Sequence, residues 1–229
     1  MLDTGLYRPN LRYGVLRFAG PAARDAAALR LARATAGAGI IHVDDMATAE
    51  RLCRQLRAAG DSACCYHGKL EPATRRARLR QFRQGARRVL VATPALGGGM
   101  DRPDIRFVIH LRLPASLQDY YRESCLAGRD GLPAQCTLLA CPPCDGVSAA
   151  PLAAYLRGGA CRWRLLLAGL GAGAQGGVCC GQCDQCGGAG QARPPLDLAV
   201  LLTLAGERVL FDFPEDSSKT FMAEFVQAR

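Results

Sequence analysis

Short apolar runs alternate with amphipathic stretches over the first 140 residues of the chain. GIIHV (39–43) is a run suited to a strand buried on both faces. From Thr48 to Ala59 the apolar positions Ala49, Leu52, Cys53 and Leu56 recur at helical spacing, and Gly60 ends the pattern. Ala63–Tyr66 reads as the next strand. Pro72–Gln84 reads as a helix with proline in its first turn and Gly85 past its end. Strands are predicted at Arg88–Ala92 and Phe107–His110, then a helix around Leu117–Glu123 and a strand at Thr137–Ala140. Strands separated by helices in this way predict an α/β fold, a parallel sheet with flanking helices. Ligands of such sheets sit beyond the carboxyl ends of the strands, here the loops after Val43, Ala92 and His110.

The pattern changes after about Leu139. Cys141-Pro-Pro-Cys144 and Gly146 mark a breaker-rich connection, and Leu152–Leu170 follows as one helical stretch. A glycine-rich segment then leads to Cys180-Gly-Gln-Cys183-Asp-Gln-Cys186, and a second linker precedes an apolar, helix-compatible Leu196–Leu210. No internal repeat is present. No apolar run approaches the ~18 residues of a membrane span, and the start has no apolar secretory core. A reducing compartment is therefore expected, in which the 12 cysteines are not a disulfide framework.

Three thiols at C-x2-C-x2-C spacing in a glycine-rich turn can converge on one centre. A tetrahedral structural zinc site needs a fourth ligand. Cys161, with 18 residues between it and Cys180 and expected on the 152–170 helix, is the first candidate. Cys179 is its competitor, and a pairing of Cys141 and Cys144 with Cys183 and Cys186 is a third arrangement. An iron–sulfur cluster and a redox pair are the alternatives to zinc. Cys53, Cys64, Cys65, Cys125 and Cys136 read as small core residues.

Charge sharpens the picture. The chain carries 29 Lys+Arg against 20 Asp+Glu, and 17 of those cations lie in residues 1–100 with only 7 acids. Between Arg75 and Arg88 seven of fourteen residues are arginine, with no acid among them. Such a face is either simply solvated or contacts phosphates, where clustered cations displace counterions.

Two stretches carry further chemistry. Ala92-Thr-Pro-Ala-Leu-Gly-Gly-Gly-Met-Asp-Arg-Pro-Asp-Ile-Arg-Phe-Val-Ile-His110 ends a strand in a glycine turn, which lets a backbone approach a phosphate or sugar closely. Tyr120-Tyr-Arg-Glu-Ser-Cys-Leu-Ala-Gly-Arg-Asp-Gly131 ends a helix in a turn that presents Arg129, a bidentate phosphate ligand by geometry. In this order, with Arg8-Pro-Asn-Leu-Arg-Tyr13, Tyr66-His67, Arg75 and the cysteine cluster, they resemble the second RecA-like motor domain and zinc-binding module of RecQ-type superfamily 2 DNA helicases. The wording leans toward the eukaryotic branch of that family.

The resemblance implies a lead-in over residues 1–20, a RecA-like domain over 21–145 and a small helical zinc-binding module over 146–190. In the remainder, 191–229, Leu202–Leu210 faintly resembles the end of a winged-helix domain. It also implies a function, DNA unwinding by an ATP-dependent 3′–5′ helicase in recombination and repair, with nuclear or bacterial cytoplasmic location. Arg129 would stabilise γ-phosphate charge as the catalytic arginine, with Asp101 and Gly99 on the nucleotide side. Thr93, His67, Arg75, Arg76 and Arg78 would face DNA. Cys161, Cys180, Cys183 and Cys186 would hold Zn²⁺. The plainer reading of Arg129 is a cation at a helix C-terminus, and of His42, His67 and His110 a structural role.

The departures from that family are specific. No G-x-x-x-x-G-K-S/T phosphate loop and no D-E-x-H-type acidic motif occurs, so ATP and Mg²⁺ would require a separate first motor domain as partner. Of the two arginines expected in the last motif only Arg129 is present; Leu126 stands at the first. Arg122 replaces a glutamine, Cys125 a glycine, and His42-Val-Asp-Asp-Met46 a Tyr-Cys-x-Ser-Arg motif. The isolated chain is therefore expected to be inactive as an ATPase. The alternative function is an ATP-independent, zinc-stabilised DNA-binding or regulatory module.

Overall fold

Among the described residues, six parallel strands form one sheet in the order β1-β6-β5-β2-β4-β3. They are β1 (Leu11–Arg17), β2 (Ala38–His42), β3 (Ala63–Tyr66), β4 (Val89–Ala92), β5 (Ile105–His110) and β6 (Ala134–Ala140). The computed structural model describes residues 5–97, 100–141, 150–172 and 179–186. Parallel neighbours need crossovers, and here four helices supply them: α1 (Pro21–Ala34), α2 (Met46–Ala58), α3 (Pro72–Arg83) and α4 (Leu117–Ser124). The predicted RecA-like architecture, a parallel sheet with flanking helices, is what the structure shows.

Period-2 alternation deals the central strands onto two cores. Ile40, Cys64, Leu90 and Val108 face one, with Phe82 of α3 and Tyr120 of α4. Ile41, Cys65, Val91 and Ile109 face the other, with Ala28 and Leu31 of α1 and Leu52 and Leu56 of α2. Burial on both faces is why these strands read as continuous apolar runs. Gly39 is required by that packing: a Cβ there would lie 2.0 Å from the Phe107 ring. Helix starts follow local chemistry. Asp45 caps α2 by accepting from Thr48 N at 2.8 Å, and Ser116 caps α4 by accepting from Asp119 N at 3.0 Å.

Two elements lay outside the sequence reading and one expectation needs correction. Within residues 1–20, expected as the lead-in, lies β1, an edge strand in register with β6 from Leu11↔Ala134 to Arg17↔Ala140. The helix α1 is the other added element. The stretch 152–170 is two helices, α5 (Ala150–Arg157) and α6 (Arg162–Gly169). Gly158 and Gly159 break it, with φ of 79° and 80°, a left-handed conformation that glycine adopts without steric cost. Cys161 consequently precedes α6 rather than lying within a helix. Leu196–Leu210 falls outside the described residues.

The α5–α6 pair shares its core with the sheet. Trp163 is fully buried, its Nε1 donating to Leu11 O at 3.1 Å, its ring edge-on to Tyr13 at 5.0 Å. Among the described residues no helix is long and apolar enough to cross a membrane.

Candidate functional site at the carboxyl edge of the sheet

The ends of β2, β4 and β5 meet α4 around a cavity of about 250 Å³, lined in part by His42, Thr93, Arg112, Arg122 and Glu123. His42 and His110 are register partners as the last residues of β2 and β5, and their rings stack at 4.7 Å and 20°. Glu123 reaches them from α4: His110 Nε2 lies 2.9 Å from Glu123 Oε2, and His42 Nδ1 lies 4.0 Å from the same oxygen. The other carboxylate oxygen, Oε1, accepts from the Arg112 guanidinium. Burial disfavours the charged imidazoles and pushes His42 down to about 3, with His110 also lowered. Burial also opposes an ionised Glu123, but the His110 hydrogen bond and the neighbouring positive charge outweigh it and hold the carboxyl at about 2.

Two residues expected at the nucleotide come together. Arg129 Nη1 lies 3.8 Å from Asp101 Oδ1, both exposed, and also donates to Met100 O at 2.9 Å. The turn before Arg129 is pinned: Gly128 has φ 55°, and a Cβ there would meet Asn10 Nδ2 at 2.5 Å and Leu132 O at 2.8 Å. Arg8 donates to Cys125 O and Gly128 O from the strand β1 side. Gly99 lies outside the described residues. Leu126 is buried in the core.

The residues expected at DNA do not form one exposed surface. Thr93 follows β4, is buried, and borders the cavity. His67 is buried, with Nε2 3.3 Å from Glu50 Oε1. Arg78 turns inward, donating to Cys65 O at 2.9 Å and Cys65 Sγ at 2.8 Å. The Cys53 thiol, with Arg78, holds the Cys65 thiol down at about 6 against the effect of burial. Arg88 is also structural, binding Asp61 Oδ1 at 2.6 Å and the carbonyls of Ala32, Thr35 and Gly37. What remains exposed on α3 is Arg76, Arg80 and Arg83, with Arg75 half-buried beside them.

The cysteine cluster closes as a four-thiol set. The sulfurs of Cys161, Cys180, Cys183 and Cys186 all lie within 4.8 Å of one another. Cys180 and Cys186 sulfurs are 3.8 Å apart, which equals the ~3.8 Å edge of a tetrahedron with Zn–S bonds of ~2.3 Å. Backbone amides of Arg162 and Cys180 donate to Cys183 and Cys161 sulfurs, both at 3.4 Å, as thiolates accept around an ion. The donor set suits zinc. Cys179 is exposed and outside the set, and Cys141 follows β6 near Arg24, so Cys161 is the fourth member. Asp184, inside the knuckle, accepts from Arg162 twice at 2.7 Å and from Val15 N at 3.1 Å, and its own N donates to Tyr13 O. The knuckle is thereby docked on β1.

The sequence reading missed the His42–His110–Glu123 cluster. The one available signal was that both histidines end predicted strands; their adjacency depends on strand order.

Comparison with known proteins agrees with the fold. Residues 25–131 match the helicase conserved C-terminal domain. Over 139 residues the chain is 42% identical to a putative ATP-dependent DNA helicase Q1 of Caenorhabditis briggsae, covering 58% of this chain and 22% of that protein. Over 135 residues it is 38% identical to the ATP-dependent DNA helicase RecQ of Pasteurella multocida, covering 57% and 20% respectively. The chain thus spans about a fifth of the length of these curated relatives. Among solved structures, the C-terminal domain of the DEAD-box protein Dbp5 aligns with a TM-score of 0.54 at 22% identity, covering 59% of this chain and 79% of that one. The Escherichia coli DEAD-box protein SrmB gives 0.51 at 24%, covering 56% and 76%. These two likenesses establish the fold.

Proposed function

We propose, on the premise that this is a helicase of the RecQ type represented by its C-terminal motor domain, that the chain supplies the second half of an ATP-dependent 3′–5′ DNA helicase acting in recombination and repair in the nucleus. Residues 21–145, joined at the sheet's edge by β1 from the 1–20 lead-in, would be the RecA-like half and 146–190 the zinc-binding module. Cys161, Cys180, Cys183 and Cys186 would hold a structural zinc, whose contribution is to fold the knuckle. Arg129 would reach the γ-phosphate of an ATP bound on a separate first motor domain, with Asp101 and Gly99 on the sugar side. Arg75, Arg76, Arg80 and Arg83 would contact the DNA backbone. Arg78 is withdrawn from that set because Cys65 holds it.

The observation that carries this reading is the pair Arg129 and Asp101, exposed together beside the start of β5, where Gly128 N donates to Ile105 O. The sequence has no phosphate loop and no Mg²⁺-binding acidic motif, so the isolated chain should bind DNA without hydrolysing ATP. DNA binding measured across a salt series should give a steep slope. Arg76→Ala with Arg80→Ala should flatten it by about one for each phosphate no longer neutralised. DNA-stimulated ATP hydrolysis by the pure chain, or a slope unchanged in the double variant, would overturn the respective half of the proposal.

A second reading, a regulatory module that works without ATP, is favoured by Leu126. Its burial leaves this turn with one outward arginine rather than two. Copurification with a first motor domain whose ATPase is lowered rather than raised would select it.

A further inference from the structure

We propose that His42, His110 and Glu123 form a second metal site, separate from the cysteine cluster, for one divalent transition-metal ion of the zinc class. Their donor atoms all lie within 4.8 Å of one another. The side chains are buried, with 2% of His42, none of His110 and 9% of Glu123 exposed. Both nitrogens of His42 and Nδ1 of His110 have no hydrogen-bond partner among the described residues. A buried polar atom left unsatisfied destabilises the fold. An ion at Glu123 Oε2 would satisfy one of them, His42 Nδ1, with His110 Nε2 as its other nitrogen ligand.

The geometry suits such an ion. Ligand atoms around a tetrahedral zinc with ~2.0–2.1 Å bonds stand about 3.3 Å apart. The observed separations from Glu123 Oε2, 2.9 Å to His110 Nε2 and 4.0 Å to His42 Nδ1, bracket that value. Binding would displace the proton now shared between His110 and Glu123. Two imidazoles and one carboxylate select zinc-class ions, because magnesium and calcium prefer oxygen alone. Arg112 does not occupy the ligand oxygen. It holds the outer one, Oε1, as supporting groups commonly hold a ligating carboxylate, at the cost of weakening the cation's affinity.

Three protein ligands leave a fourth position for water or an anion, and His42 and Glu123 also border the cavity at the sheet edge. This distinguishes the site from the four-thiolate cluster, which is closed by protein alone.

The test uses the full 229-residue chain, stripped of metal under reducing conditions and titrated with Co²⁺. Thiolate ligation gives strong near-ultraviolet charge-transfer absorption; a histidine–carboxylate site adds only weak visible bands. We expect both signatures in the wild type, with zinc counting at two equivalents. His42→Phe keeps the ring stacked on His110 and removes both nitrogens. It should fall to one equivalent, lose the visible component that lacks charge transfer, and keep the thiolate signal as the control for folding. If His42→Phe does not fold, Glu123→Gln is read in the same way. A wild type that saturates with thiolate signature alone, or a variant that still binds the second ion, overturns the proposal. Loss of the thiolate signature alone would instead count against the cysteine site and leave the histidine result readable.

Discussion

Asp184→Ala should be among the most damaging single substitutions in the described residues. Arg162 is 3% exposed, and its guanidinium meets both oxygens of Asp184 at 2.7 Å. It also donates to Tyr155 O and lies over the Tyr155 ring at 5.3 Å. Removing the carboxylate leaves a buried cation with no counter-charge, a change that costs about 3–5 kcal/mol in protein interiors. It also leaves Val15 N without its side-chain acceptor. Asp184 itself keeps 20% of its side chain exposed, so water can reach part of the gap. The expected loss is therefore near the lower end, about 3 kcal/mol, a large share of the ~5–15 kcal/mol that holds a domain together. Urea unfolding followed by circular dichroism should show the midpoint falling by roughly 1–2 M at a slope of ~2 kcal/mol/M. The double variant Arg162→Met with Asp184→Leu removes the charge along with its partner and should recover most of the loss. A single-variant loss below about 1 kcal/mol, or a double variant as unstable as the single, would refute the reasoning that an uncompensated buried charge is the cause.

Arg88→Ala should cost about 2–3 kcal/mol, because it removes charge-assisted bonds to Asp61 and three carbonyl partners; Arg76→Ala and Arg80→Ala should change stability by less than about 0.5 kcal/mol, and equal effects in a denaturant series would contradict this division. Asp45→Ala should cost about 1 kcal/mol through loss of the α2 cap. Thr48's backbone N–H and hydroxyl hold the Asp45 carboxyl below its ordinary 3.8. Its contribution is therefore complete above that value and disappears as pH falls through the depressed one, so the gap between wild type and variant should close in acid; a gap that widens there would be the wrong sign. Trp163 is the single tryptophan and fully buried, so its emission should start blue and move red when a chelator strips the cysteine cluster, because the knuckle's Asp184 and Arg162 link that cluster to its helix. An unchanged spectrum after verified metal loss would show that the helix does not depend on the ion.

The parts of the fold legible in the sequence are those in which one residue's environment follows from its own strand or helix. β2, β4 and β5 are covered on both faces, so each is an apolar run with little else it could be. α2 announces its end with Gly60, though its Asp45 cap precedes the start expected at Thr48, and α3 announces both ends with Pro72 and Gly85. α1 escaped because its inward face is largely alanine, Ala27, Ala28 and Ala32 with Leu31, and gives little contrast to its arginines. The break between α5 and α6 was hidden because Leu152, Tyr155 and Leu156 continue into Leu166 and Leu167 at compatible spacing. In the site, the C-x2-C-x2-C run named three sulfurs, and the backbone's return brought Cys161 rather than Cys179 to them. Arg78 was indistinguishable from Arg76 in sequence; only the crossing of α3 over β3 places its guanidinium on Cys65.

The substitutions that separate this chain from its resemblance are coherent in three dimensions. Leu126 is not a gap where an arginine should be. Its side chain is 2% exposed and belongs to the same core as Tyr120 and Leu138. Arg8 clamps the carbonyls on either side of it, Cys125 O and Gly128 O. Placing an arginine there would direct a cation into apolar packing unless the Arg8 clamp also released the turn. Positive charge also lines the cavity, where Arg112 neutralises Glu123 and Arg122 lies exposed beside Asp119. The turn beside the start of β5 thus keeps Arg129 as an outward cation, while the carboxyl edge carries a buried carboxylate held by a guanidinium and two neutral imidazoles. The carboxyl edge of this sheet therefore carries polar chemistry that the sequence motifs alone do not predict.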